Sequence, residues 1–167
     1  DNYMTDLPTK KGLSSSAATC VLVARAFNRV YDLKMTVRGE MEFAYLGEIT
    51  TPSRCGRMDQ GCAYGNRPVM MTFDGDRIDV NEFNVAKDLF FVIVDLGSSK
   101  DTKEILHQLN HCYPFAENEL QKNVQEYLGS TSAQMTRQAH EALHQGDAVR
   151  VGQLMKEAQA EFDKNLQ

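Results

Sequence analysis

Residues 7–18, Leu7-Pro8-Thr9-Lys10-Lys11-Gly12-Leu13-Ser14-Ser15-Ser16-Ala17-Ala18, set one glycine and three consecutive serines directly before a long run of helix-forming residues. Such a junction binds anions. The first turn of a helix leaves backbone N–H groups without internal partners and gathers the positive end of the helix dipole, so a phosphate docks there without a dedicated basic side chain. Gly12 lets the main chain approach closely and accepts a positive φ. A serine N-cap accounts for one hydroxyl, and three stand here. The G-x-x-x-x-G-K-[ST] phosphate loop is excluded because Lys10 and Lys11 precede the only glycine of the segment. No G-x-S-x-G nucleophile elbow occurs either.

With these residues in view, Pro8-x-x-x-Gly12-Leu13-Ser14-Ser15-Ser16-Ala17 resembles the second conserved motif of the GHMP kinases, the superfamily of galactokinase, homoserine kinase, mevalonate kinase and phosphomevalonate kinase. Further along, Cys55-Gly56-Arg57-Met58-Asp59-Gln60-Gly61 is similar to the G-x-M-D-Q segment of the galactokinase-type members. Gln60, the small residues after it and Tyr64-Gly65 also look like the bacterial heptose kinases. The resemblance implies that Lys11, Gly12, Leu13, Ser14, Ser15, Ser16 and Ala17 hold ATP. It implies Asp59 as the carboxylate that faces the acceptor hydroxyl, as general base or electrostatic orienter. Glu48, eleven positions before Asp59, falls where mevalonate-kinase-like members carry an acidic metal ligand, so Glu48 and the Ser16 hydroxyl, or Ser15 in its place, would hold Mg2+. A solvated glutamate at a helix end is the competing account of Glu48.

These implied roles are chemically coherent. Phosphoryl transfer asks a protein mainly to hold an acceptor oxygen in line with the γ-phosphate and to stabilise spreading charge, while a carboxylate beside the acceptor takes its proton. Magnesium prefers oxygen ligands, usually one or two from protein with phosphates and water completing the shell. The expected activity is therefore that of an ATP-dependent small-molecule kinase acting on a hydroxyl. A sugar acceptor is favoured by Met58-Asp59-Gln60; a mevalonate-type kinase and a non-catalytic sugar or nucleotide sensor on the same fold are the alternatives. Arg57 departs from galactokinases, which usually have an apolar residue there, and leaves the acceptor open.

The elements that must position these groups follow from pattern. An apolar and small-residue run predicts a buried helix over residues 15–31, preceded by the end of a strand at residues 2–7. Thr36 is the N-cap of a second helix that ends at Glu48, and Pro52 stops it. Residues 59–64 read as one or two helical turns. Residues 69–73 and 77–80 read as strands joined through Asp74-Gly75-Asp76, a hairpin signal. The continuous apolar run of residues 89–94 has the look of a strand covered on both faces. Beyond it the chain turns helical: Asp101 and Glu104 have capping-box spacing before Ile105 and Leu106, and helices are expected over residues 114–127, 132–144 and 147–164, with Gly129 and Gly146 as stops. In the last of these, Val149, Val151, Leu154, Met155, Ala158 and Phe162 form a stripe expected to face a core.

The fold class expected is α+β. The resemblance implies a part like ribosomal protein S5 domain 2 over residues 1–88, followed by the start of a ferredoxin-like, helix-rich second domain over residues 89–167. Residues 97–102 follow the apolar run, where related kinases line the acceptor pocket. With 167 residues, 42% hydrophobic and 25% charged, the chain has the composition of a soluble globular protein. Its net charge of −5 argues against a nucleic-acid partner, and no apolar run approaches the ~20 residues that span a bilayer. Four scattered cysteines fit reduced thiols in a cytoplasmic protein. The pairs His107/His111 and His140/His144, with no H-E-x-x-H pattern, read as surface histidines. The oligomeric state is not legible. The opening Asp1-Asn2-Tyr3-Met4 reads as the interior of a longer kinase, with little activity expected from this piece by itself.

Overall fold

A computed structural model describes residues 4–8, 11–51, 56–95, 97, 107 and 109–166. The chain divides into two compact units, Asp1–Asn81 with Ile93–Lys103, and Glu82–Val92 with Glu104–Gln167.

The first unit contains two α-helices, a short 3-10 helix and a hairpin. Helix α1 spans Ser15–Val30 and α2 spans Val37–Glu48. The Thr36 side chain accepts the Gly39 N–H at 3.2 Å, so it caps α2 as its position promised. The 3-10 helix Asp59–Tyr64 packs on both α1 and α2. Strands β1, Val69–Asp74, and β2, Arg77–Glu82, pair in a two-stranded sheet around Gly75 and Asp76, with Gly75 at φ 56°. The apolar centre is Val21, Met41, Ala44 and Ala63, extended by Cys20, Ala24, Val37, Tyr64, Met71 and Val80. Each helix and the hairpin thus contributes to one core.

A polar knot closes the α1–α2 corner. Arg25 Nε pairs with Glu40 Oε2 at 2.8 Å and its Nη2 donates to the Ala63 carbonyl at 2.7 Å. Asn28 Nδ2 donates to Glu40 Oε1 at 2.8 Å and to the Met35 carbonyl, and its Oδ1 accepts the Met35 N–H. Glu40, though in the first turn of α2, is buried, so this carboxylate organises three segments. A buried charge survives only when it is paired and hydrogen-bonded.

In the second unit, α3 spans Glu119–Glu126, a π-helical turn occupies Tyr127–Thr131, α4 spans Ser132–Gln145 and α5 spans Ala148–Asn165. Helix α3 starts later than the sequence predicts, because Asn118 accepts the Gln121 N–H at 2.9 Å and sets the N-cap there. Gly129 does not stop the helix: the chain passes through the π turn into α4 without leaving helical geometry. Gly146, at φ 70°, does end α4, and Asp147 caps α5 by accepting the Arg150 N–H. The expected stripe on α5 is only partly inward. Val151 and Leu154 are buried and Phe162 meets the Tyr127 ring edge-on, while Val149 and Met155 face solvent.

Two expected strands do not form among the described residues. Residues 4–8 have no strand geometry, and residues 89–95 do not pair, with Phe90 at 94% and Val92 at 91% exposure. An apolar run acquires strand structure only from a neighbouring ladder, and the sheet of the described residues is the β1–β2 hairpin. The expected capping box at Asp101 and Glu104, with Ile105 and Leu106, lies outside the described residues.

Burial raises the pKa of Glu40, but the hydrogen bonds from Asn28 and Arg25 and the charges of Arg25 and Arg29 outweigh it, and the net shift is downward. A depressed carboxylate stabilises the fold above its unfolded pKa, about 4.3, and loses that contribution as pH falls through the lower folded value. In urea titrations the stability gap between wild type and Glu40→Gln is therefore expected to be full at neutral pH and to shrink on acidification. A gap that stays constant down to about pH 3 contradicts the assignment.

Candidate functional site

The start of α1 is built on two left-handed residues. Gly12 has φ 74° and Ser14, the residue before the helix, has φ 55° and ψ 34°. A non-glycine residue there carries strain of the kind that gathers at ligand sites. No side chain caps this helix, and its first turn contains no acidic residue. Two of the three hydroxyls depart from the simple capping account. The Ser14 side chain does not cap, and the Ser16 hydroxyl turns to α2. Leu13 is exposed, whereas Ala17 is fully buried.

Ser16 Oγ donates to Glu48 Oε1 at 2.6 Å, and Gln60 Nε2 donates to Glu48 Oε2 at 2.7 Å. Glu48 is 1% exposed and Gln60 is 0% exposed, so the solvated helix-end account of Glu48 does not hold. One carboxylate ties the first turn of α1, the last turn of α2 and the 3-10 helix together. Its charge is felt nearby: burial first, then the Glu48 carboxylate, push the Cys20 thiol above its ordinary range. Ser16 and Glu48, expected from sequence to work together, stand within hydrogen-bond distance. Gln60 belongs to the same cluster; the sequence marked it only as part of the motif around Asp59, with no role.

Asp59 opens the 3-10 helix and is half-buried. Its carboxylate makes no hydrogen bond or ion pair with the described residues. Lys11 Nζ pairs with Asp95 at 3.0 Å. The Asp95 carboxyl is held below its usual range by the Gly97 N–H and then by Lys11. Of the segment expected to line an acceptor pocket, residues 98–102 lie outside the described residues, as does Cys55. Among the described residues no group of three or more His, Cys, Asp or Glu stands together as a metal cage, and no helix is long and apolar enough to cross a membrane.

The donor set at Ser16 and Glu48 is two hard oxygens at a helix start that no side chain caps, the kind of donor a divalent cation takes. Replacing Glu48 by Ala strips Gln60 and Ser16 of their shared acceptor in a buried place and is expected to lower unfolding free energy by about 2 kcal/mol. Glu48→Gln keeps one acceptor oxygen and should lose about half as much. Chemical denaturation measures both, and equal stability of all three proteins would contradict the burial argument.

Neither a curated protein nor a solved structure matches the chain. Residues 3–66 match the family model of the GHMP kinases N terminal domain, a stretch that takes in α1, α2 and the 3-10 helix and stops before the hairpin. The uncapped start of α1, the buried Glu48 bridge and Asp59 all fall inside that match, which supports a place for this part of the chain in the GHMP kinase superfamily and, at the family level, a kinase-type enzyme.

Proposed function

We propose that this chain carries the nucleotide, metal and general-base groups of an ATP-dependent kinase that phosphorylates a hydroxyl of a small molecule, a sugar before mevalonate. The observation that carries the reading is the Ser16–Glu48 pair at 2.6 Å, set at a helix start that no side chain caps. The N–H groups of that first turn, with Gly12 and Ser14 in left-handed geometry, receive phosphate oxygens. Ser16 and Glu48 fit Mg2+ as hard oxygen donors. When bound, the ion neutralises charge on the phosphates. The first unit is then of the ribosomal protein S5 domain 2 type, with the nucleotide groups in residues 1–88.

Asp59 supplies the remaining group. A carboxylate with no other partner among the described residues is open to the acceptor hydroxyl, takes its proton as the oxygen attacks the γ-phosphorus, and leaves ADP as the departing group. The sugar preference rests on Met58-Asp59-Gln60 alone.

The test is phosphorylation by the full-length protein of a panel of hexoses, a heptose and mevalonate with Mg-ATP. Asp59→Asn is expected to keep ATP affinity and to lower turnover by about 10²-fold or more. Glu48→Gln is expected to raise the Mg2+ concentration needed for half-maximal rate. Turnover of Asp59→Asn equal to wild type removes Asp59 from the base role, and nucleotide binding with no turnover on any acceptor favours a sensor.

A further inference from the structure

Arg57 stands two residues before Asp59, where its charge alone would suggest a ligand for an anionic acceptor. Its guanidinium is otherwise engaged. Nη2 lies 3.2 Å from Glu42 Oε1, Nη1 donates to the Asp76 carbonyl at 3.2 Å, and the guanidinium carbon sits 4.6 Å from the centre of the Tyr45 ring. The side chain is 22% exposed. Planar stacking combined with forked donation is what arginine provides and lysine does not.

The partners form a pattern. Glu42, Tyr45 and Glu48 succeed one another at spacings of three on α2 and so share one stripe of that helix. Arg57 grips Glu42 and Tyr45, and Gln60 grips Glu48. Asp59 lies between the two grips. Through Asp76 the first grip also reaches the turn between β1 and β2. We infer that Arg57 is a positioning residue: together with Gln60 it fixes the register of residues 57–64 along α2, and thereby the place of Asp59, and it does not bind the acceptor.

This rests on Asp59 being the acceptor-side carboxylate. In the full-length protein, Arg57→Ala is expected to speed hydrogen exchange about tenfold at the Gly61 and Gly65 amides, which close the 3-10 helix on Met58 and Cys62, while the Glu40 amide of α2 stays unchanged. Turnover on the best acceptor of the panel should fall about 10- to 100-fold with the KM for ATP within about twofold of wild type. Arg57→Lys should recover part of the loss. Glu42→Gln, which leaves the stacking in place, should give a smaller change in the same direction and serves if Arg57→Ala does not fold. Unchanged exchange at Gly61, or faster exchange with full turnover, overturns the inference. So does a loss confined to the KM of the acceptor, which would make Arg57 a substrate ligand. If Asp59→Asn retains full turnover, the reading of Asp59 fails instead, and amide exchange alone then decides whether Arg57 sets the register.

Discussion

A carboxylate without water must be given hydrogen-bond donors, and in the first unit the burial of Glu48 imposes that requirement on three separate segments. Its two oxygens take the Ser16 hydroxyl and the Gln60 amide, which brings the beginning of α1, the end of α2 and the 3-10 helix to one point. Apolar packing of Val21, Met41, Ala44 and Ala63 beneath them is non-directional and would tolerate small slides of one helix along another. The carboxylate does not tolerate them, because hydrogen bonds fail within a few tenths of an ångström and a few tens of degrees.

The Arg25–Asn28–Glu40 knot does similar work one face away. It fastens the loop between the helices and reaches the Ala63 carbonyl at the far end of the 3-10 helix. The 3-10 segment is thus held at three places: by Arg57 on the turn before it, by Gln60 within it, and by Arg25 near its close. Short 3-10 helices have little intrinsic stability, so a residue that must keep one position on such a segment depends on outside anchors. The polar groups here fix the arrangement of the segments they join, since their hydrogen bonds are directional.

The two units differ in how they read. In the second unit, capping residues decided most boundaries, and local chemistry sufficed for Asp147 and Gly146. Gly129 misled because a helix absorbs one extra residue as a π turn when its flanks favour helix on both sides. The apolar run at residues 89–94 misled for the opposite reason. Its composition suits a covered strand, but strand structure is a property of a pair, and exposure of Phe90 and Val92 follows from the absence of a partner ladder among the described residues.

The sequence by itself determined where α1, α2 and the hairpin lie and singled out Ser16, Glu48 and Asp59 as candidates, because caps, turns and motif spacing are local and survive without knowledge of the fold. Only the tertiary structure decided which of three serines turns to Glu48, that Lys11 pairs with Asp95, and that Gln60 and Arg57 are the grips on either side of Asp59. Those outcomes depend on contacts between residues twelve to eighty-four positions apart. Such contacts are set by how helices seat on a shared core, and nothing in the spacing of a linear motif records which hydroxyl or guanidinium will face a buried carboxylate.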